Sequence, residues 1–121
     1  PCPGLVELIE AGDLFSPTIR ALLRGYVEPL LAEGCDTIIL GCTHYPFLKP
    51  LLREMIPESV ILIDTGHAVA RQLQRLLTQH GLLHDGNAQE TQFWSSADLY
   101  NFGNILPALW KKSDSVRSFG L

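Results

Sequence analysis

Apolar positions along the chain alternate between strand-like and helical spacing. The continuous apolar run at Thr37–Leu40 is typical of a strand buried on both faces of a parallel sheet. A second apolar run, Val60–Ile63, predicts another strand. Apolar residues at helical spacing predict three helices. The first, residues 17–33, precedes the first strand; the second, residues 47–56, lies between the two strands; and the third, residues 67–80, follows the second strand. The residues expected on the buried face of this last helix are Val69, Leu73 and Leu76. The alternation predicts an α/β fold with a doubly wound parallel sheet.

The pattern changes after Gly81, where residues 84–88 are polar and turn-forming. Beyond them we expect a short strand at residues 91–94, a helix with one further turn at 97–110, and a closing strand at 116–119. Aromatic residues of this tail need a surface to pack against, namely Trp94, Trp110 and Phe119. The chain therefore divides into an α/β unit, residues 1–81, and a tail, residues 82–121.

Composition excludes several classes of function. The net charge is −4 and the nine Lys and Arg residues form no basic stripe, so nucleic-acid binding has no electrostatic support. No apolar run approaches the roughly 20 residues of a membrane span. Cys2, Cys35 and Cys42 are odd in number and irregularly spaced, which argues against a disulfide framework and favours a reducing cytoplasm. Structural zinc sites do not use the spacing of Cys35, Cys42 and His44, so no metal is expected.

The candidate chemistry lies in the segment Gly41–Pro46, directly after the first predicted strand. Ligands bind open α/β sheets beyond the carboxyl ends of the strands, so Cys42 is expected at the rim of a site. A reactive thiolate needs partial exposure and a nearby cationic or hydrogen-bonding group, which His44 or the amides of the next helix can supply. The alternative is a buried cysteine beside a loop histidine of no chemical role. An aspartate such as Asp64, between the second predicted strand and the helix after it, is typical of a turn or a helix N-cap.

The string Gly-Cys-Thr-His-Tyr-Pro-Phe-Leu, which begins at Gly41, resembles the second cysteine motif of the glutamate racemase family. The resemblance continues upstream in the Cys-Pro segment that runs from Cys2 to Glu10, and downstream in Ile63–Gly66. It covers the whole chain, but only as the C-terminal half of the family, because the first cysteine motif, of the Ala-Cys-Asn-Thr type, is absent from these residues. The resemblance implies that residues 1–81 form most of a second α/β lobe and that the tail packs on the first lobe.

The resemblance also implies racemisation of glutamate without a cofactor. Two cysteines flank the α-carbon, one as thiolate base and one as thiol acid, and a thiol titrates close enough to neutrality to serve as either. Cys42 matches the cysteine that takes the proton from L-glutamate, His44 the histidine that assists it, and Glu10 the acidic residue that orients this histidine. Thr43 would bind the carboxylate or amino group of the substrate. Because the chain holds one of the two cysteines, it is expected to be inactive alone.

At the level of the cell, the resemblance implies a cytoplasmic enzyme that supplies D-glutamate for peptidoglycan and is a homodimer when full length, with no nucleic-acid or membrane partner. Other functions remain open. Aspartate and hydantoin racemases share the two-lobed architecture, and a half-length chain could be a non-catalytic binding module. A Cys-His hydrolase would need an oxyanion hole, for which no motif is recognisable. Without the resemblance, Glu10 is typical of a solvated helix face.

Overall fold

The computed structural model describes residues 1–84, 86, 90–96, 99–110 and 115–119. The elements of the first part are helices α1 (Leu5–Glu10) and α2 (Pro17–Ala32), strand β1 (Thr37–Leu40), a 3-10 turn (Tyr45–Leu48), helix α3 (Lys49–Met55), strand β2 (Ile61–Asp64) and helix α4 (Gly66–Gln79). Those of the second part are strand β3 (Phe93–Ser95), helix α5 (Leu99–Trp110) and strand β4 (Val116–Ser118). Strand β1 pairs in parallel with β2, and β3 with β4. The predicted α/β class with parallel strands is confirmed.

Helix α2 begins where its sequence signals predict. The Oγ atom of Ser16 accepts hydrogen bonds from the backbone amides of Thr18 and Ile19, at 3.2 and 3.3 Å, which satisfies donors that have no partner within the helix. The Ser16 amide in turn donates to the Asp13 carboxylate at 3.0 Å. Hydrogen bonds from Ser16 are the main reason that the pKa of Asp13 is lowered. Proline at position 29 lies inside the helix, which continues to Ala32.

One face of the β1–β2 sheet packs on the helices. Ile38 and Leu40 of β1 are buried, and the register pairs them with Leu62 and Asp64 of β2. The buried core residues are Leu5, Ile9, Ile19, Leu23, Val27, Ile38, Leu40, Leu48, Leu51, Leu52, Ile56 and Val60. They come from α1, α2, β1, the 3-10 turn, α3 and the segment between α3 and β2, and Leu62 of β2 packs against them partly buried. The core therefore lies between this sheet face and the first three helices.

The opposite face of the sheet is open. Ile39 is 63% exposed, and Ile61 and Ile63 on β2 are exposed beside it. The prediction that the first strand is buried on both faces is therefore wrong for this chain. Successive side chains of a strand point to opposite faces, and α1 to α3 cover only one of them.

The predicted buried face of the fourth helix is also wrong. Helix α4 starts one residue earlier than expected, and Val69, Leu73 and Leu76 are 62, 55 and 40% exposed. The helix has a clear apolar stripe but makes no extensive contact with another element in the described part of the chain. An amphipathic pattern shows which face is apolar, whereas burial of that face requires a partner.

The second part of the chain contacts the first through α5. This helix continues through Pro107, buries Ile105 and Leu106, and places Leu109 against the main core. The aromatic residues of the tail pair with one another, at ring distances of 5.5 Å for Trp94 with Phe119 and for Phe93 with Trp110. Trp94, Trp110 and Phe119 nevertheless stay about half exposed. The predicted starting residue of this helix, at position 97, and three residues of the polar segment 84–88 lie outside the described residues.

None of the described helices has the length and the apolar character that crossing a membrane requires.

Candidate active site

The loop that carries the candidate site is anchored at both ends. It follows Leu40, which is buried at the end of β1, and leads into the 3-10 turn, whose last residue, Leu48, is buried in the core. A backbone hydrogen bond from the Phe47 amide to the His44 carbonyl, at 3.1 Å, starts this turn. Cys42 is half-buried between these anchors, beyond the carboxyl end of β1. Its thiol is therefore at the sheet edge where α/β folds bind ligands.

Three predicted site residues lie in a line. The Sγ atom of Cys42 is 3.9 Å from Nδ1 of His44, and Nε2 of His44 is 3.0 Å from Oε1 of Glu10. Because a carboxylate only accepts hydrogen bonds, Glu10 selects the tautomer or charge state in which Nε2 carries a proton. In the neutral imidazole this leaves Nδ1 as an acceptor facing the thiol. The arrangement can take a proton from Cys42 or hold one beside it.

Thr43 is exposed next to this line. Its Oγ1 atom is 3.4 Å from Nδ1 of His44, so the hydroxyl and the Cys42 thiol approach the same ring nitrogen. The hydroxyl can donate there or turn toward a ligand at the sheet edge. The structure therefore brings all four predicted site residues into one neighbourhood.

Helix α1 positions Glu10. Leu5 and Ile9 of this short helix are almost fully buried, and α1 packs against α2 and the 3-10 turn. Glu10 is the last residue of the helix, and its side chain is 65% exposed. Beside it lies a cavity of about 380 Å³, lined by Glu10, Ala11, Gly12, Asn104 and Ile105. The carboxylate thus reaches His44 from the rim of the core rather than from its interior.

The other two cysteines have different surroundings. The Cys35 thiol is half-buried and donates to the Thr37 carbonyl at 3.0 Å. Cys2 packs against the core and lines an apolar cavity of about 300 Å³ together with Tyr45. Burial is the main cause that raises the pKa of the Tyr45 hydroxyl, and a side-chain hydrogen bond with Cys2 raises it further. No local sequence pattern predicts this contact, because Cys2 and Tyr45 are far apart in the chain.

Asp64 makes the turn that the sequence predicts and one contact that it does not. Its Oδ1 atom accepts from the Gly66 amide at 2.9 Å, which closes the turn between β2 and α4. Its Oδ2 atom forms an ion pair with Lys49, the first residue of α3. The hydrogen bond from Lys49 is the main reason that the pKa of the Asp64 carboxyl is lowered.

Known proteins resemble this chain along its whole length. A family profile described as Asp/Glu/Hydantoin racemase matches residues 1–73. A glutamate racemase of Pseudomonas syringae pv. tomato is 72% identical over 121 residues, which is 100% of this chain and 44% of that protein. A glutamate racemase of Pseudomonas entomophila is 67% identical over the same residues, and the match spans 46% of its length.

Solved structures agree with the sequence matches. The glutamate racemase isoform RacE1 of Bacillus anthracis superposes with a TM-score of 0.85 at 28% identity, over 99% of this chain and 45% of that one. The glutamate racemase of Thermus thermophilus, solved with β-chloro-D-alanine, gives 0.80 at 31% identity, over 99% and 46%. The chain thus spans less than half the length of these relatives, and it matches their C-terminal part. By sequence and by fold, it belongs to the Asp/Glu/Hydantoin racemase family.

Proposed function

We propose that the full-length protein of which this chain forms part interconverts L- and D-glutamate without a cofactor, with Cys42 as one of two thiol bases. The observation that carries the proposal is the line from Cys42 through His44 to Glu10 beyond the carboxyl end of β1. The name shared by the relatives, glutamate racemase, supports glutamate as the substrate.

The proposed chemistry uses Cys42 on one face of the substrate. As a thiolate, its sulfur takes the α-proton of L-glutamate, and the electron pair of the C–H bond stays on the α-carbon next to the carboxylate. A second thiol, supplied by the part of the protein outside this chain, gives its proton to the opposite face. In the reverse direction Cys42 gives the proton, so each thiol alternates between base and acid.

The neighbours of Cys42 prepare it for both roles. Nδ1 of His44 takes the thiol proton when Cys42 must act as base, and it stabilises the thiolate as imidazolium. Glu10 accepts the Nε2 proton of His44 and orients the ring so that Nδ1 faces the sulfur. Thr43 holds the carboxylate or the amino group of glutamate through its hydroxyl and backbone amide.

The rest of the protein completes the site. We assign residues 1–81 to most of one α/β lobe, and residues 82–121 to a tail that contacts this lobe through Leu109 of α5 and packs its remaining surface on the other lobe. Two features support this division: the relatives are more than twice as long, and the chain leaves apolar surface open on β1, β2 and α4. With the second thiol elsewhere, the isolated chain is inactive. The full-length enzyme acts in the cytoplasm as a homodimer and supplies D-glutamate for peptidoglycan.

A chimera tests the proposal. The part of the Pseudomonas syringae racemase that precedes the matched region is joined to this chain, which is 72% identical to the segment it replaces. Circular dichroism of L-glutamate then follows racemisation, with L-aspartate and a 5-substituted hydantoin as competing substrates. We expect turnover of glutamate that Cys42→Ala abolishes and that Cys35→Ala, the matched cysteine control, retains. An inactive chimera, preference for another substrate, or an active Cys42→Ala variant would contradict the proposal.

A further inference from the structure

The loop Gly41–Leu48 is held at both ends by a single residue of β2. At its start, Leu40 is the register partner of Asp64 in the parallel sheet. At its end, Lys49 forms an ion pair with the carboxylate of the same Asp64. The loop that carries Cys42, Thr43 and His44 therefore starts and finishes at one point of the neighbouring strand.

We propose that Asp64 and Lys49 act as positioning residues, forming a clamp that fixes this loop and so sets where the Cys42 thiol stands beside His44. The inference rests on the proposed function in one respect, namely that the position of Cys42 matters for proton transfer. Neither Asp64 nor Lys49 needs to touch the substrate. Their effect reaches the thiol through the backbone between residues 40 and 49.

The surroundings of Asp64 suit this role. Its side chain is 13% exposed and that of Lys49 is 39% exposed, so the pair is better shielded from water and salt than an open surface pair. Both carboxylate oxygens have partners, because Gly66 donates to Oδ1 and Lys49 to Oδ2. A Cβ atom at position 66 would lie 3.1 Å from Oδ1. Glycine at that position therefore leaves the carboxylate the space it occupies.

A second contact keeps α3 alongside β2. One helical turn after Lys49, Nη1 of Arg53 donates to the Val60 carbonyl at 2.9 Å, just before β2 begins. Helix α3 is thus tied to the neighbouring strand near both of the strand's ends. With α3 held in place, the contact between Lys49 and Asp64 determines how far the loop can move away from the sheet edge.

The test uses the chimera described above and three substitutions at the clamp. Asp64→Asn keeps the shape of the side chain and removes its charge. Lys49→Met keeps the aliphatic stem and removes the ammonium group, whereas Lys49→Arg keeps a charged donor. Glu54→Gln serves as the matched control, because Glu54 also pairs across helices, with Arg20 at 2.9 Å, but lies away from the loop.

Two measurements are made on each variant. The first is kcat and KM for glutamate. The second is the rate of alkylation of Cys42 by iodoacetamide, read by peptide mass spectrometry and divided by the rate for Cys35. Cys35 lies just before β1, at the opposite end of that strand from the loop. General loosening of the fold exposes both thiols, whereas release of the loop exposes Cys42 alone.

We expect Asp64→Asn and Lys49→Met to lower kcat by about 10- to 100-fold with little change in KM, since small misplacements of reacting groups have effects of this size. Both should raise the Cys42 to Cys35 alkylation ratio several-fold. Lys49→Arg should retain most of the parent's kcat. Glu54→Gln should match the parent in both kcat and the alkylation ratio. Unchanged kcat, an unchanged ratio, or a failure of Lys49→Arg to restore activity would overturn the clamp. If the parent chimera itself does not racemise glutamate, the proposed function is wrong. The alkylation ratio then tests by itself whether Asp64 and Lys49 fix the loop.

Discussion

Oε1 of Glu10 lies 3.0 Å from Nε2 of His44, although the two residues are 34 positions apart in the chain. The contact joins the end of α1 to the loop after β1. Ile9, the residue before Glu10, is fully buried in the core and so holds the end of α1 in place. The orientation of the imidazole beside Cys42 is therefore coupled to the packing of a short helix that precedes it.

The first prediction concerns this contact. In the chimera, Glu10→Gln should lower kcat for glutamate by about tenfold, a small part of the 10²- to 10⁴-fold that acid–base catalysis contributes. The amide can present either a donor or an acceptor to Nε2, so it no longer favours the tautomer with Nδ1 free. Glu7→Gln is the control, since Glu7 is exposed one turn earlier on α1. Equal effects of the two substitutions would argue against an orienting role for Glu10.

The second prediction separates the two faces of the substrate. Glutamate analogues with a halide on the β-carbon lose hydrogen halide once a base removes the α-proton, so elimination needs a base on one face only. Cys42→Ala should stop racemisation but leave elimination from one enantiomer, because the opposite thiol still reaches its own face. Halide release from each enantiomer measures this. Equal rates for both enantiomers in the variant would contradict a face-specific Cys42.

The third prediction concerns acid stability. The pKa of Asp13 is lowered in the folded protein, mainly through hydrogen bonds from Ser16. The folded state therefore binds this proton less tightly than the unfolded chain, whose Asp pKa is about 3.9. The resulting stability is fully present above that value and is lost as the pH falls through the lowered folded pKa. Thermal unfolding of Asp13→Ala at neutral pH should occur at a lower temperature than that of the parent, and the difference should shrink below about pH 4. A difference independent of pH would exclude the charge as its source.

The fourth prediction concerns the core. Leu51 of α3 is fully buried between the helices and the sheet. Leu51→Ala should reduce the free energy of unfolding by about 2 to 5 kcal/mol, because it removes buried apolar surface and leaves a cavity. Leu30→Ala should change the free energy of unfolding by no more than about 0.5 kcal/mol, as expected for an exposed position. Urea denaturation of the chimera gives both values, and similar costs at the two positions would mean that the core is not where the structure places it.

The fifth prediction concerns the open sheet face of Ile39, Ile61 and Ile63. Exposed apolar patches favour association, so the isolated chain should form oligomers that light scattering detects. Ile39→Lys should reduce this association in the isolated chain. In the chimera the same substitution should lower the unfolding temperature instead, because the added part of the protein covers the face. If Ile39→Lys left the unfolding temperature of the chimera unchanged, the added part of the protein would not cover this face.

Local signals in the sequence were sufficient for some features. The start of α2 follows from Ser16 and Pro17, since capping depends on neighbouring residues. The place of Cys42 beyond a strand follows from the apolar run that precedes it. Its approach to His44 needs only two residues of chain, so spacing alone predicted it.

Other features depend on residues that lie far apart and escaped prediction. The ion pair between Lys49 and Asp64 depends on the register of two strands and on the direction of α3. No pattern among neighbouring residues predicts either of these. The prediction of a buried face on α4 was wrong for another reason. Burial of its apolar stripe requires a packing partner, and the described residues do not supply one. The open face of β1 has the same cause. The resemblance to a family, rather than periodicity, singled out Glu10.

The alternation of buried and exposed residues in β1 makes the site sensitive to changes in chain length. Ile38 and Leu40 face the core and Ile39 faces away, so the pairing with β2 cannot slip by one residue without exposing the buried pair. A single inserted or deleted residue in this strand would also move the following loop by about 3.3 Å. That displacement exceeds what the 3.0 Å contact between His44 and Glu10 can absorb. Libraries that vary this strand should therefore retain activity with many side-chain substitutions and lose it with any insertion or deletion.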